Sequence, residues 1–168
     1  PDLAQRELES AAAESPQDPG AALRLARLHL ARERPQAALA EFDRAARLAP
    51  SSIEPLVGRT HAYVALRQPS DAVRAAEEVV KRQGDTADAY LFLGTTHERV
   101  GQPDEAAKAF EQALQRQPNH LAAARALAAL YARTKRMAEA QRLLEDMANS
   151  NPQTVVPLLD LGQIFQSA

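Results

Sequence analysis

The sequence predicts an all-α protein, an array of antiparallel helix pairs repeated every 34 residues. Three observations predict it. Alanine recurs at a constant step of 34 at Ala4, Ala38, Ala72, Ala106 and Ala140. Two further series keep the same step: Pro1, Pro35, Pro69 and Pro103 with Met137 in the fifth place, and Pro16, Pro50, Pro118 and Pro152 with Gly84 filling the gap. Composition is the third. Six glycines and 4% aromatic residues are few for a β-rich fold, while Ala, Leu, Glu, Gln and Arg supply helix propensity.

The elements follow in order. Residues 1–18 read as the second helix of a repeat, through Ala4, Leu8 and Ala11 ended by Pro16; its helix is expected at 2–14. Full repeats are expected at 19–52, 53–86, 87–120 and 121–154. Their first helices are placed at 21–32, 53–66, 87–100 and 120–133, and their second helices at 35–48, 69–82, 103–116 and 137–149. A proline opens three of these second helices, where its fixed φ suits the first turn; another proline ends most units because it cannot continue the ladder. In the 87–120 unit, Tyr90, Leu93, Gly94 and His97 share one helical face, and Ala106, Phe110, Ala113 and Leu114 share the next. Two helices joined by so short a loop cross closely, so Ala106 and Ala113 are small for a steric reason. Residues 155–168 read as a first helix at 154–167. The chain thus opens and closes in mid-repeat, the expectation for a piece of a longer array. The last helix is apolar almost all round, through Val155, Leu158, Leu159, Leu161, Ile164 and Phe165, and is expected to fray or to bury itself against another copy.

These residues resemble the tetratricopeptide repeat (TPR) family. The third full repeat carries the family pattern through Tyr90, Leu93, Gly94, His97, Gly101, Ala106, Phe110, Ala113 and Pro118. The first carries it through Leu25, Ala26, His29, Ala38, Phe42, Ala45 and Pro50, and the fourth through Leu127, Ala128, Tyr131, Ala140, Leu144 and Pro152. The second fits at Leu56, Tyr63 and Ala72 and departs at Arg59, Ala76 and Gly84. The resemblance implies a right-handed α-solenoid, a superhelix whose first helices line a concave groove.

Little else in the sequence points to chemistry. With no cysteine there is no disulfide, thiolate metal site or sulfur nucleophile. Twenty basic against 22 acidic residues leave a net charge of −2, which gives no field to attract nucleic acid or an anionic membrane. No apolar run approaches the length of a membrane span, and no leader pattern opens the chain. His29 and His97 fall in the aromatic slot of the repeat and are expected as packed rings with one nitrogen satisfied. His61 and His120 lack a metal-ligand spacing. Glu77-Glu78 and Asp104-Glu105 stand near Arg74, Lys81 and Lys108, the pattern of a solvated helical face. No catalytic residue, metal ligand or cofactor is expected, and the chain is read as no enzyme. Arg59 is the odd residue in a core register; it is expected to snorkel along an adjacent helix, with a polar network as the sharper alternative.

The resemblance also implies where a partner would sit. Carried onto this chain, the groove positions are Leu23, Arg24, Arg27 and Leu30 in the first repeat, and Glu54, Val57, His61 and Val64 in the second. The third gives Asp88, Leu91, Phe92, Thr95, Glu98 and Arg99, the fourth Arg125, Ala126, Ala129 and Arg133, and the last helix Val156, Leu159, Asp160 and Gln163. The carboxylate clamp of some TPR co-chaperones needs Lys, Asn, Asn, Lys and Arg where this chain has Leu23, Arg27, Gly58, Asp88 and Phe92, so a chaperone tail is not expected. The expected function is a protein–protein interaction scaffold that binds a peptide or partner helix, in a bacterial assembly such as a secretion or envelope complex. A regulatory array cut from a larger enzyme and a self-assembling structural array are the alternatives. Periplasm and cytoplasm fit equally.

Overall fold

The structure is a computed structural model that describes Ser10 and residues 14–150. The described residues form eight helices and no strand: α1 (Pro19–Ala31), α2 (Pro35–Leu48), α3 (Glu54–Ala65), α4 (Pro69–Gln83), α5 (Ala87–Arg99), α6 (Pro103–Arg116), α7 (Leu121–Arg133) and α8 (Met137–Ser150). All eight expected helices of the full repeats are present, with bounds within two residues. The largest shift is at α1, which starts at Pro19 rather than at residue 21. The reason is local. Asp18 caps it, its carboxylate accepting from the N–H groups of Gly20 at 2.8 Å and Ala21 at 3.0 Å, and Pro19 fills the first turn. The helices expected at 2–14 and 154–167 fall largely or wholly outside the described residues, as does the apolar surface of the last one.

The chain divides into two compact units, Pro1–Gln83 and Gly84–Ala168. In the first, α1 packs on α2, α2 on α3 and α3 on α4, and the first helices α1 and α3 also touch. Its core centres on Phe42, 2% exposed, among Ala22, Ala26, Ala38, Ala45 and Ala62, all at 0%. The second unit repeats the plan with α5 to α8, α5 touching α7, around Phe110 and Leu144 at 0%. Alanine at the crossings lets the backbones approach, as the sequence requires.

The crossing of α5 and α6 is close, as is the contact of α2 with α3, where Phe42 lies against Gly58. A Cβ added at Gly94 would lie 2.4 Å from Phe110 Cε1, so the phenyl ring lies against the glycine backbone.

Each first helix ends in the same way. The residue after the last turn has positive φ: Glu33 at 56°, Arg67 at 56°, Gly101 at 80° and Lys135 at 62°. The next N–H then reaches back five residues: Arg34 to the His29 carbonyl at 2.8 Å, Gln68 to Tyr63 at 3.0 Å, Gln102 to His97 at 2.9 Å and Arg136 to Tyr131 at 2.7 Å. This left-handed cap satisfies helix-end carbonyls and turns the chain sharply into the second helix.

Candidate partner-binding faces

The outward side chains of each first helix form a face within each unit, although Leu30 and Leu91 also pack against the core. In the first unit, Arg24 and Arg27 on α1 are exposed, and Leu30, Val57, His61 and Val64 are half-buried. Leu23 is 8% exposed and packs in the core with Ala22 and Phe42, so it offers a partner little surface. The arginines are matched within the chain. Arg24 lies 3.3 Å from the capping carboxylate of Asp18, and Arg27 pairs with Glu54 at the start of α3. That second pair joins the two first helices across the repeat boundary.

In the second unit, Asp88, Thr95, Arg99, Arg125 and Arg133 are exposed, while Leu91, Phe92 and Glu98 are half-buried. Arg133 on α7 pairs with Glu98 on α5, again joining neighbouring first helices. Asp88 is held by His120, whose Nε2 lies 2.9 Å away while its Nδ1 accepts the Ala123 N–H at 3.1 Å and caps α7. Thr95 donates its hydroxyl to the Leu91 carbonyl at 2.8 Å. These exposed pairs each contribute about 0–1 kcal/mol at most, so they set geometry more than stability.

The remaining polar residues resolve as surface or scaffold. Glu78 pairs with Arg82 at 2.9 Å and Glu105 with Lys108 at 2.7 Å, and each cation holds its carboxyl below the usual range. His97 is half-buried with Nδ1 2.7 Å from Gln102 Oε1, as a packed ring with one satisfied nitrogen should be. In His29 the buried Nδ1 has no hydrogen-bond partner. Arg59 is 31% exposed and is paired rather than simply snorkelling: its Nε lies 3.1 Å from Asp43 Oδ1 on the preceding second helix, an ion pair without a hydrogen bond from that nitrogen. Among the described residues no group of three or more His, Asp or Glu side chains converges on a metal position, and no helix is long and apolar enough to cross a membrane.

One polar cluster escaped the sequence reading. Asp85, at φ 65° beside Gly84, receives two hydrogen bonds at 3.0 Å from Arg116, whose guanidinium stacks 4.6 Å from the Tyr90 ring centroid. A hydrogen bond from Tyr90 and then the Arg116 contact hold the Asp85 carboxyl below its ordinary value. The signal available was the Gly-Asp step where the proline series breaks.

Comparison with known proteins agrees with this geometry. A tetratricopeptide repeat profile matches residues 1–54 and 99–158, and a second tetratricopeptide repeat profile matches 59–99. No curated protein matches the chain. Among solved structures, TTC0263, a thermophilic TPR protein of Thermus thermophilus, is 23% identical, over 97% of this chain and 89% of its own, with a TM-score of 0.68. YrrB, described as a TPR protein with an unusual peptide-binding site, is 20% identical over 95% of this chain and 82% of its own, at a TM-score of 0.60. The MamA 41-end protein from Desulfovibrio magneticus RS-1 is 20% identical over 88% and 85%, at 0.67. At these identities the likeness speaks for the fold, an α-solenoid of helix pairs. Taken with the profiles, which cover most of its length, it is plain that the chain belongs to the tetratricopeptide repeat family.

Proposed function

We propose that the chain is a non-catalytic protein-interaction scaffold that takes a peptide or partner helix on its first-helix faces, within a bacterial assembly such as a secretion or envelope complex. The observation that carries this reading is the face of α5. There Phe92 remains only half-buried beside the exposed Thr95 and Arg99, while Leu91 packs in part against the core of Phe110, Leu127 and Leu144. Aromatic and aliphatic anchors ringed by polar groups are the composition of a binding hot spot. The peptide-binding site named for YrrB lends the fold a precedent.

Charge refines the reading. Arg27 and Arg133 are already paired with Glu54 and Glu98, so an acidic partner residue would exchange one exposed pair for another with little net gain. Affinity then rests on Leu30, Val57, Val64, Leu91 and Phe92, and charge sets specificity.

Affinity capture with the intact protein, followed by mass spectrometry, tests this. Phe92→Ala is expected to weaken the captured partner by about 2 kcal/mol, roughly thirtyfold, while Lys108→Ala on a second helix leaves it unchanged. Equal capture by wild type and by Phe92→Ala combined with Arg99→Ala would remove the site from this face.

A further inference from the structure

A second kind of slot lies between a first helix and the second helix that follows it, and uses none of the residues of the faces above; in the second unit the preceding second helix lines it too. It occurs once in each unit, at positions 68 residues apart in sequence. In the first unit it is lined by Leu56, Arg59, Tyr63, Asp71, Arg74 and Glu78. In the second unit Leu127, Tyr131, Glu139, Arg142 and Asp146 take the places of Arg59, Tyr63, Asp71, Arg74 and Glu78. The acid on the preceding second helix is kept as well, Asp43 in one and Glu111 in the other.

The first slot shows what its chemistry accepts, because the chain fills it itself. The Arg59 guanidinium lies 5.9 Å from the Tyr63 ring centroid, donates to the Tyr63 hydroxyl at 3.4 Å, and places Nε 3.1 Å from Asp43. An arginine held by a carboxylate and a tyrosine is therefore already built once. The remaining opening is small, about 200 Å³.

In the second slot the acid and the tyrosine persist, and Leu127 stands where Arg59 stood. Glu111 accepts the Tyr131 hydroxyl at 2.8 Å, and its charge also acts on Arg136. The opening grows to about 460 Å³ over a floor of Leu114, Leu127 and Leu143. Glu111, Glu139, Arg142 and Asp146 also line the slot, and Asp146 has an interaction of its own. Arg136 covers one side of the Tyr131 ring, 4.2 Å from its centroid, and is engaged by Glu139 at 2.9 Å. By formal charge the lining carries three acids against Arg142 over an apolar floor, which suits a cation carried on a hydrophobic stem.

We propose that this slot binds an arginine or lysine side chain, presented next to an apolar residue by a protein partner, with Glu111 as its carboxylate and Tyr131 and Leu127 as its walls. The slot is a second contact site, separate from the first-helix faces, and it stands or falls independently of them.

The test uses the full chain and a fluorescein-labelled peptide of alternating arginine and leucine, with a glutamate–leucine peptide as control, read by fluorescence anisotropy. The arginine peptide is expected to bind at least tenfold more tightly than the control. Leu127→Arg, which copies Arg59 and fills the slot from within, should reduce that binding at least tenfold. Glu111→Gln should do the same; Glu111 is exposed, so this variant keeps the test decisive if Leu127→Arg disturbs the fold, which circular dichroism reports. Lys81→Ala, an exposed change on α4, should leave peptide binding unchanged. Equal binding of the two peptides, or undiminished binding by Glu111→Gln, would each overturn the assignment.

Discussion

Gly94 and Phe110 show how one contact sets the distance between two helices. The same two repeat positions hold Ala26 and Phe42, Thr60 and Ala76, and Ala128 and Leu144, so a smaller residue on one helix accompanies a larger one on the other. Phe110 is 0% exposed and its ring lies where a Cβ on residue 94 would go, with no solvent into which to retreat. Gly94→Ala is therefore expected to destabilise by about 1–3 kcal/mol through overpacking. Adding Phe110→Leu, which recreates the Ala128–Leu144 pair, should recover part of that loss, so the two changes are non-additive in urea unfolding. Strict additivity would show that the ring and the glycine do not share the space.

At the scale of the element, the four left-handed caps decide where the first helices stop. Only Gly101 occupies its position without steric cost; Glu33, Arg67 and Lys135 hold positive φ with a side chain attached. A left-handed residue other than glycine costs about 1 kcal/mol, partly offset by the unfolded-state freedom that glycine adds. Arg67→Gly is expected to stabilise by about 0.5 kcal/mol and Gly101→Ala to destabilise by about 1 kcal/mol, both read as shifts in the urea midpoint. Opposite signs would mean the caps are not what closes these helices. Helix type and nearly every boundary were legible in the sequence, because proline and the 34-residue step mark the turns physically. The start of α1 was missed by two residues, since the Asp18-Pro19 cap and first turn outweigh the low propensity of Gly20. The face positions were carried over from the family resemblance, and Leu23 among them packs in the core instead. The pairings were not legible: Arg27 meets Glu54, Arg59 meets Asp43 and Tyr131 meets Glu111 across helix crossings whose angle no local pattern encodes.

Across the whole molecule the charges point to one pH response. Asp18 is held below its ordinary value of 3.8 chiefly by the Gly20 N–H, and Asp85 by Tyr90 and Arg116. Glu78, Glu105 and Glu139 are held below 4.5 by Arg82, Lys108 and Arg136. A carboxyl lowered in the folded state contributes stability that is complete above its ordinary value and is lost as pH falls through the lower, folded one. The melting temperature is expected to fall progressively on acidification from about pH 5 to about pH 3, and added salt should shrink the ion-pair part while leaving the Asp18 cap. A melting temperature that rose over that interval would contradict the assignment.

Partner binding on the first-helix faces is the central claim, and hydrogen exchange of the captured complex tests it most directly. Amide protection should rise on α1, α3, α5 and α7, concentrated around Phe92, with the second helices little changed. Protection confined to α2, α4, α6 and α8, with α5 exchanging as in the free protein, would contradict it.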